Sequence, residues 1–261
     1  MAMTDDDYDD IRQHYMYLIF KYAHIAVPNA QMAAAYKANY ASLPEYMKLD
    51  GHDTDGSIDA YITANPPLLA YNDYGLSNFT KSKVAYNMIR EINTAWLTDP
   101  LYDGRNLIEV IGFQGHDTVG PTLASDSQRA LQLMANLIDE GLLTRICYSE
   151  LDLKVPESTP GGSASAPDAM NVKNADALGY QYALLFRLFE KYANYFSHVT
   201  FWGTTGNSYQ NAYVGFDSNG MVNQGYYGIM EPDLFIRGHS YLDDFFDGEY
   251  AKVKNGYTPE L

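Results

Sequence analysis

Ser149-Glu150-Leu151-Asp152 sets two carboxylates two residues apart within an apolar run, Arg145 to Leu153. In a strand, side chains alternate with period two, so Glu150 and Asp152 project from the same face. A glutamate at a strand mouth can attack an anomeric carbon and hold it as a covalent ester, provided its neighbours keep it ionised and oriented. His116, at the end of the preceding apolar run, is the natural orienting group. Asp152 is placed to bond that imidazole and fix its tautomer. Glu-Leu-Asp alone is a weak motif, equally at home as a loop cap. Gln114-Gly115-His116 one strand earlier and Thr200-Phe201-Trp202-Gly203 one strand later weigh against the cap.

The elements that must position these residues can be read from periodicity. Leu68–Tyr74, Leu107–Gln114, Arg145–Leu153 and His198–Gly203 are nearly continuous in apolar, β-branched or aromatic residues, as suits strands covered on both faces. Four helical stretches alternate with them. The first spans Asp10 to Val27, with Ile11, Tyr15, Leu18, Ile19, Tyr22, Ala23 and Ala26 on one face and Pro28 beyond it. The second carries Val84, Met88, Ile92 and Ala95; the third Ala130, Leu133, Leu137 and Ile138, stopped by Gly141. The fourth carries Leu178, Tyr182, Leu185, Phe189 and Tyr192. This alternation predicts βαβ units around a parallel sheet. Each strand ends in polar or aromatic residues, where such sheets build their sites.

Three segments stand apart. Residues 33–67 read as an insertion with its own short helix near Met32–Tyr40, Pro156 to Pro167 as a flexible loop, and 209–261 as a closing loop with a short terminal helix. Within the insertion, Asp50 to Asp59 partly imitates a calcium loop. If Gly56 takes the glycine position, the end ligands fall on Gly51 and Ile62, and the pattern fails. His24, His52, His198 and His239 have no zinc spacing. Cys147, the single cysteine, excludes an internal disulfide and reads as a buried, inert thiol.

The chain has 261 residues and a formal net charge of −16, with 46% hydrophobic and 19% charged residues. That composition is globular. The charge repels phosphate backbones and anionic lipid heads, so neither nucleic acid nor membrane is an expected partner. No stretch approaches the roughly 18 apolar residues of a membrane span. Met1 to Asp10 is acidic where a signal peptide would be basic and then apolar. The expectation is a cytoplasmic protein or the interior of a longer one.

Tyr71-Asn72-Asp73-Tyr74, Ile111-Gly112-Phe113-Gln114-Gly115-His116, Ser149-Glu150-Leu151-Asp152 and Val199-Thr200-Phe201-Trp202-Gly203, in that order, resemble strands five to eight of the family 10 glycoside hydrolases, the β-1,4-xylanases. Tyr17 to His24, with Pro28-Asn29-Ala30, looks like that family's fourth barrel helix. The resemblance implies an α/β fold, a partial (β/α)8 TIM barrel in one domain over 1–261, completed by association of two chains or by an N-terminal half-barrel. It implies a retaining double displacement on xylan or xylooligosaccharide, with no cofactor. Glu150 matches the nucleophile, and His116 with Asp152 its supporting network. Gln114 matches a polar contact to the −1 sugar, Trp202 an aromatic wall there, and Tyr74, beside Asn72, a residue of the leaving-group side.

The family's acid/base glutamate follows an asparagine at the end of strand four, and no Asn-Glu pair precedes residue 10 here. The resemblance therefore implies the C-terminal part of a secreted, extracellular enzyme, incomplete alone. Ser208-Tyr209 stands where the family usually has Ser-Trp. A non-catalytic polysaccharide-binding or scaffold module that keeps the barrel motifs is the other reading.

Overall fold

The computed structural model describes residues 5–26, 29–45, 48, 60, 67–155, 172–203, 212–217 and 219–246. The calcium-like stretch at 50–59 and the loop at 156–167 lie outside the described residues. Helices α1 (Asp5–Ala26) and α2 (Asn29–Asn39) precede β1 (Ala70–Tyr74). Then follow α3 (Phe79–Trp96), β2 (Val110–Gln114), β3 (His116–Thr118), α4 (Leu123–Asp139), β4 (Arg145–Lys154), α5 (Val172–Lys191) and β5 (Phe196–Phe201). The chain continues through β6 (Ala212–Tyr213), α6 (Gln224–Met230) and α7 (Pro232–Gly238).

β1, β2, β4 and β5 pair side by side, all parallel, with α3, α4 and α5 as their crossovers. The expected βαβ architecture is present. After Gly115 the second strand resumes as β3, which pairs with β4 further along, His116 opposite Asp152. That extension was not legible as a separate strand, because Gly115 interrupts the apolar run. A Cβ at Gly115 would lie 2.8 Å from the Tyr148 ring, so this crossing needs glycine. β6 adds antiparallel to the end of β4. Among the described residues, β1 and β5 each pair on one side only.

The helices form where capping and packing agree. Asn78 caps α3, its side chain accepting from the Lys81 N–H at 3.1 Å. Gly141, at φ 75°, ends α4, and the Leu142 N–H returns to the Leu137 carbonyl at 2.8 Å. The α4 and α5 stripes are buried much as periodicity predicted, although Ile138 is only partly so. The α3 stripe is rotated: Val84 and Ala95 are exposed, and Ala85, Ile89, Ile92 and Trp96 are buried with Met88. Trp96 decides the rotation. Its indole is fully buried, and its N–H donates to the Arg105 carbonyl at 2.8 Å.

α1 departs further from expectation. Phe20 is buried, and Tyr17 and Lys21 reach Asp99 at 2.6 and 2.5 Å. Those contacts hold its 17–20–21–24 face. The apolar stripe Tyr15, Ile19 and Tyr22 instead stands 63%, 43% and 65% exposed. The segment from 209 also carries more structure than a closing loop, since β6, α6 and α7 pack against β4 and α5. Glycine makes this possible: a Cβ at Gly228 would overlap the Gly179 backbone.

Candidate active site

β4 carries the central carboxylates and is irregular where it carries them. Its pairing with β5 slips between Tyr148 and Leu151. Before the slip, Ile146 and Tyr148 are buried in the core; after it, Leu151 and Leu153 are. The extra residue lets Ser149 and Glu150 lie adjacent and both half-buried, the re-aiming that a bulge provides. Glu150 and Asp152 then share a face, as their spacing requires.

His116 joins them. Its Nδ1 lies 2.9 Å from Asp152 Oδ1 and its Nε2 3.1 Å from Glu150 Oε2. Burial disfavours the imidazolium, but the hydrogen bonds and charges of Asp152 and Glu150 outweigh it, and the His116 pKa is raised. Burial also raises the Asp152 pKa, against the pull of His116. Asp152 is 3% exposed and bonded through Oδ1 to His116, whereas Glu150 is half-buried.

The aromatic and amide residues are arranged around this cluster. Trp202 stands edge-on to His116, ring centroids 5.8 Å apart at 85°, and is 52% exposed; its backbone N–H donates to the Leu151 carbonyl. Gln114 is half-buried and pairs in register with Tyr74 across β1 and β2. Asn72 accepts from the Ser149 hydroxyl at 2.7 Å, and its amide occupies the space that a side chain on residue 112 would fill. Tyr74 is 67% exposed. Lys81 lies 3.7 Å from the centre of its ring, 2.9 Å from Asp73 and 2.5 Å from the Tyr74 carbonyl.

Thus Glu150, His116 and Asp152 are in direct contact, Trp202 touches that cluster, and Asn72 reaches it through Ser149. Gln114 and Tyr74 lie at the mouths of the two neighbouring strands. Ser149, Lys81 and Asp117 belong to the same neighbourhood and were not singled out from sequence. Only the position of Ser149 beside Glu150 offered a clue. Among the described residues no group of three or more His, Cys, Asp or Glu could hold a metal ion. Cys147 is 5% exposed, and burial pushes its thiol pKa up.

A parallel α/β sheet with an imidazole-bridged carboxylate pair and an exposed tryptophan at its strand ends is the framework of a barrel glycoside hydrolase. The glycosyl hydrolase family 10 model matches residues 60–232, and the chain belongs to that family. It is 25% identical over 175 residues to endo-1,4-beta-xylanase A of Thermotoga neapolitana, covering 64% of this chain and 14% of that protein. It is 29% identical over 142 residues to endo-1,4-beta-xylanase B of Paenibacillus barcinonensis, covering 54% and 37%. Its fold matches a GH10 xylanase from termite gut that contains a bacterial Ig-like domain: TM-score 0.54, 22% identity, 77% of this chain and 44% of that one. A GH10 structure from Paenibacillus barcinonensis matches with a TM-score of 0.52 and 18% identity over 78% and 65%. The chain therefore spans 14% and 37% of the length of the two named enzymes.

Proposed function

We propose that this chain is the C-terminal part of a retaining endo-1,4-β-xylanase, with Glu150 as the nucleophile. The observation that carries the reading is the His116 bridge, 3.1 Å to Glu150 and 2.9 Å to Asp152. In this mechanism a Glu150 oxygen attacks C1 of a xylose, the bond from C1 to the leaving oxygen breaks, and water later cleaves the glycosyl ester. His116 donates from Nε2 to Glu150, keeping the carboxylate oriented, and Asp152 holds the imidazole from the other side. Trp202 and Gln114 line the sugar at the reacting centre; Tyr74 and Asn72 face the leaving-group side.

Retaining hydrolysis also needs a proton donor about 5–5.5 Å from the nucleophile. Asp152 is buried and committed to His116, so it does not fill that role. We assign the donor to polypeptide that completes the barrel, supplied by an N-terminal half-barrel or a second copy. Two features support this: among the described residues β1 and β5 each pair on one side only, and Tyr15, Ile19 and Tyr22 of α1 are exposed. An extracellular site of action is part of the same proposal.

The test combines the chain with the first four strands and helices of a family 10 xylanase and measures reducing ends released from xylan. Cleavage should appear on mixing and vanish with Glu150→Gln. Cleavage that persists in the Gln variant refutes the assignment. The alternative is a non-catalytic polysaccharide-binding or scaffold module. Xylooligosaccharide binding without turnover, unchanged by Glu150→Ala, would establish that one.

A further inference from the structure

His116 and Asp117 are neighbours on a three-residue strand, and their side chains leave it in opposite directions. His116 meets Glu150 and Asp152. Asp117 turns to the helix-covered face, where its Oδ2 accepts from the Ser77 hydroxyl at 2.6 Å. Ser77, in the turn after β1, is 3% exposed, and its oxygen lies 3.3 Å from the Tyr148 hydroxyl. Tyr148 is fully buried, stacked on Phe113 with centroids 5.0 Å apart. It is also the last residue before the register slip that holds Ser149 and Glu150.

We propose that Asp117, through Ser77 and Tyr148, is a positioning residue for the nucleophile strand. It ties the outer face of the β4 irregularity while His116 ties the inner face. This inference rests on the reading of Glu150 given above. It explains why a carboxyl occupies a site where an apolar side chain would pack without desolvation cost. A bulge has unpaired backbone and bends easily, so a carboxylate on it needs restraint from both sides to stay within reach of its target.

The groups facing Asp117 are Ser77 from the turn, His116 on its own strand, Tyr148 and Asp152 from β4, and Asp126 from α4 across a cavity of about 190 Å³. Burial pushes the Asp117 carboxyl up to about 6, although the Ser77 bond and the His116 charge pull it down. The tie therefore passes from a neutral to a charged acceptor near pH 6, whereas the His116 pKa is raised above its ordinary value.

Two readouts on the full chain test this. In the first, the ring nitrogens of His116 are titrated by NMR in wild type, Asp117→Leu, Ser77→Ala and Asp117→Asn. Loss of the tie should move the His116 pKa by roughly 0.3 unit or more in the Leu and Ala variants. Asp117→Asn, which keeps an acceptor for Ser77, should stay nearer wild type. In the second, a 2-fluoro-xylobioside with a dinitrophenyl leaving group labels the chain in the presence of the complementing half-barrel. The labelling rate should fall about ten-fold in the Leu and Ala variants at nearly constant inhibitor affinity, and Asn should recover most of it. An unchanged His116 titration, or an unchanged labelling rate despite a lower Tm, overturns the proposal. If wild type itself is not labelled at Glu150, the nucleophile reading fails, and the His116 titration alone decides whether the tie exists.

Discussion

The Nε2 of His116 stands 3.1 Å from Glu150 Oε2 while the other ring nitrogen is occupied by Asp152. With Nδ1 committed to an acceptor, Nε2 can donate to Glu150 only as an imidazolium, so the bridge is strongest below the raised His116 pKa.

That coupling gives stability a pH signature. The His116 pKa is raised on folding, so its contribution is fully present below about 6.5 and lost as pH rises through the raised value. Asp152 is also raised, by burial, so its contribution is present below about 3.8 and lost as it ionises. Both slopes have the same sign. Thermal melts from pH 4 to 8 should show wild type losing Tm toward the alkaline end, with a flatter profile in Asp152→Asn. Parallel profiles would contradict the coupling.

Gly112→Ala should weaken the site from beneath. Its methyl would overlap the Asn72 amide, which must swing away from Ser149 and give up a 2.7 Å hydrogen bond. Overpacking of this kind costs about 1–3 kcal/mol. A lower urea midpoint with an unchanged m-value is the expected result, and an unchanged midpoint would show that Asn72 has room to move.

Lys81→Met should loosen the exposed Tyr74 ring, which Lys81 covers on one side at 3.7 Å. A cation–π contact at an exposed site is worth about 0.5–1 kcal/mol. Xylooligosaccharide affinity, measured by calorimetry with the complementing half present, should fall about three-fold. Equal affinity would remove Tyr74 from the leaving-group side.

Tyr22→Asp tests the proposed association. Tyr22 is 65% exposed on the bare face of α1, and a charge there should weaken pairing with the complementing half. Light scattering after size-exclusion chromatography measures it. Undiminished association would place the contact elsewhere.

Much of this was legible beforehand because the four strands are continuous apolar runs ending in distinctive residues. Glu150 with Asp152, His116 and Trp202 stood out only in combination, as strand-end motifs in one order, and their roles came from the family resemblance. The stripes of α1 and α3 did not, because both helices carry apolar residues on more than one face and tertiary partners choose between them. Trp96 turned α3 by burying its indole, while Phe20 and the Asp99 contacts of Tyr17 and Lys21 fixed α1. Asp117 was invisible because a single acid beside a histidine reads as a loop residue until Ser77 and Tyr148 come into view.

The claim that Glu150 attacks the sugar is tested most directly by mass spectrometry after reaction with the activated 2-fluoro-xylobioside, with the complementing half present. The leaving group departs as its own anion, so ester formation needs no proton donor. The account predicts one glycosyl ester per chain, on the peptide bearing Glu150, and none in Glu150→Gln. A label on any other residue, or an undiminished label in the Gln variant, would contradict it.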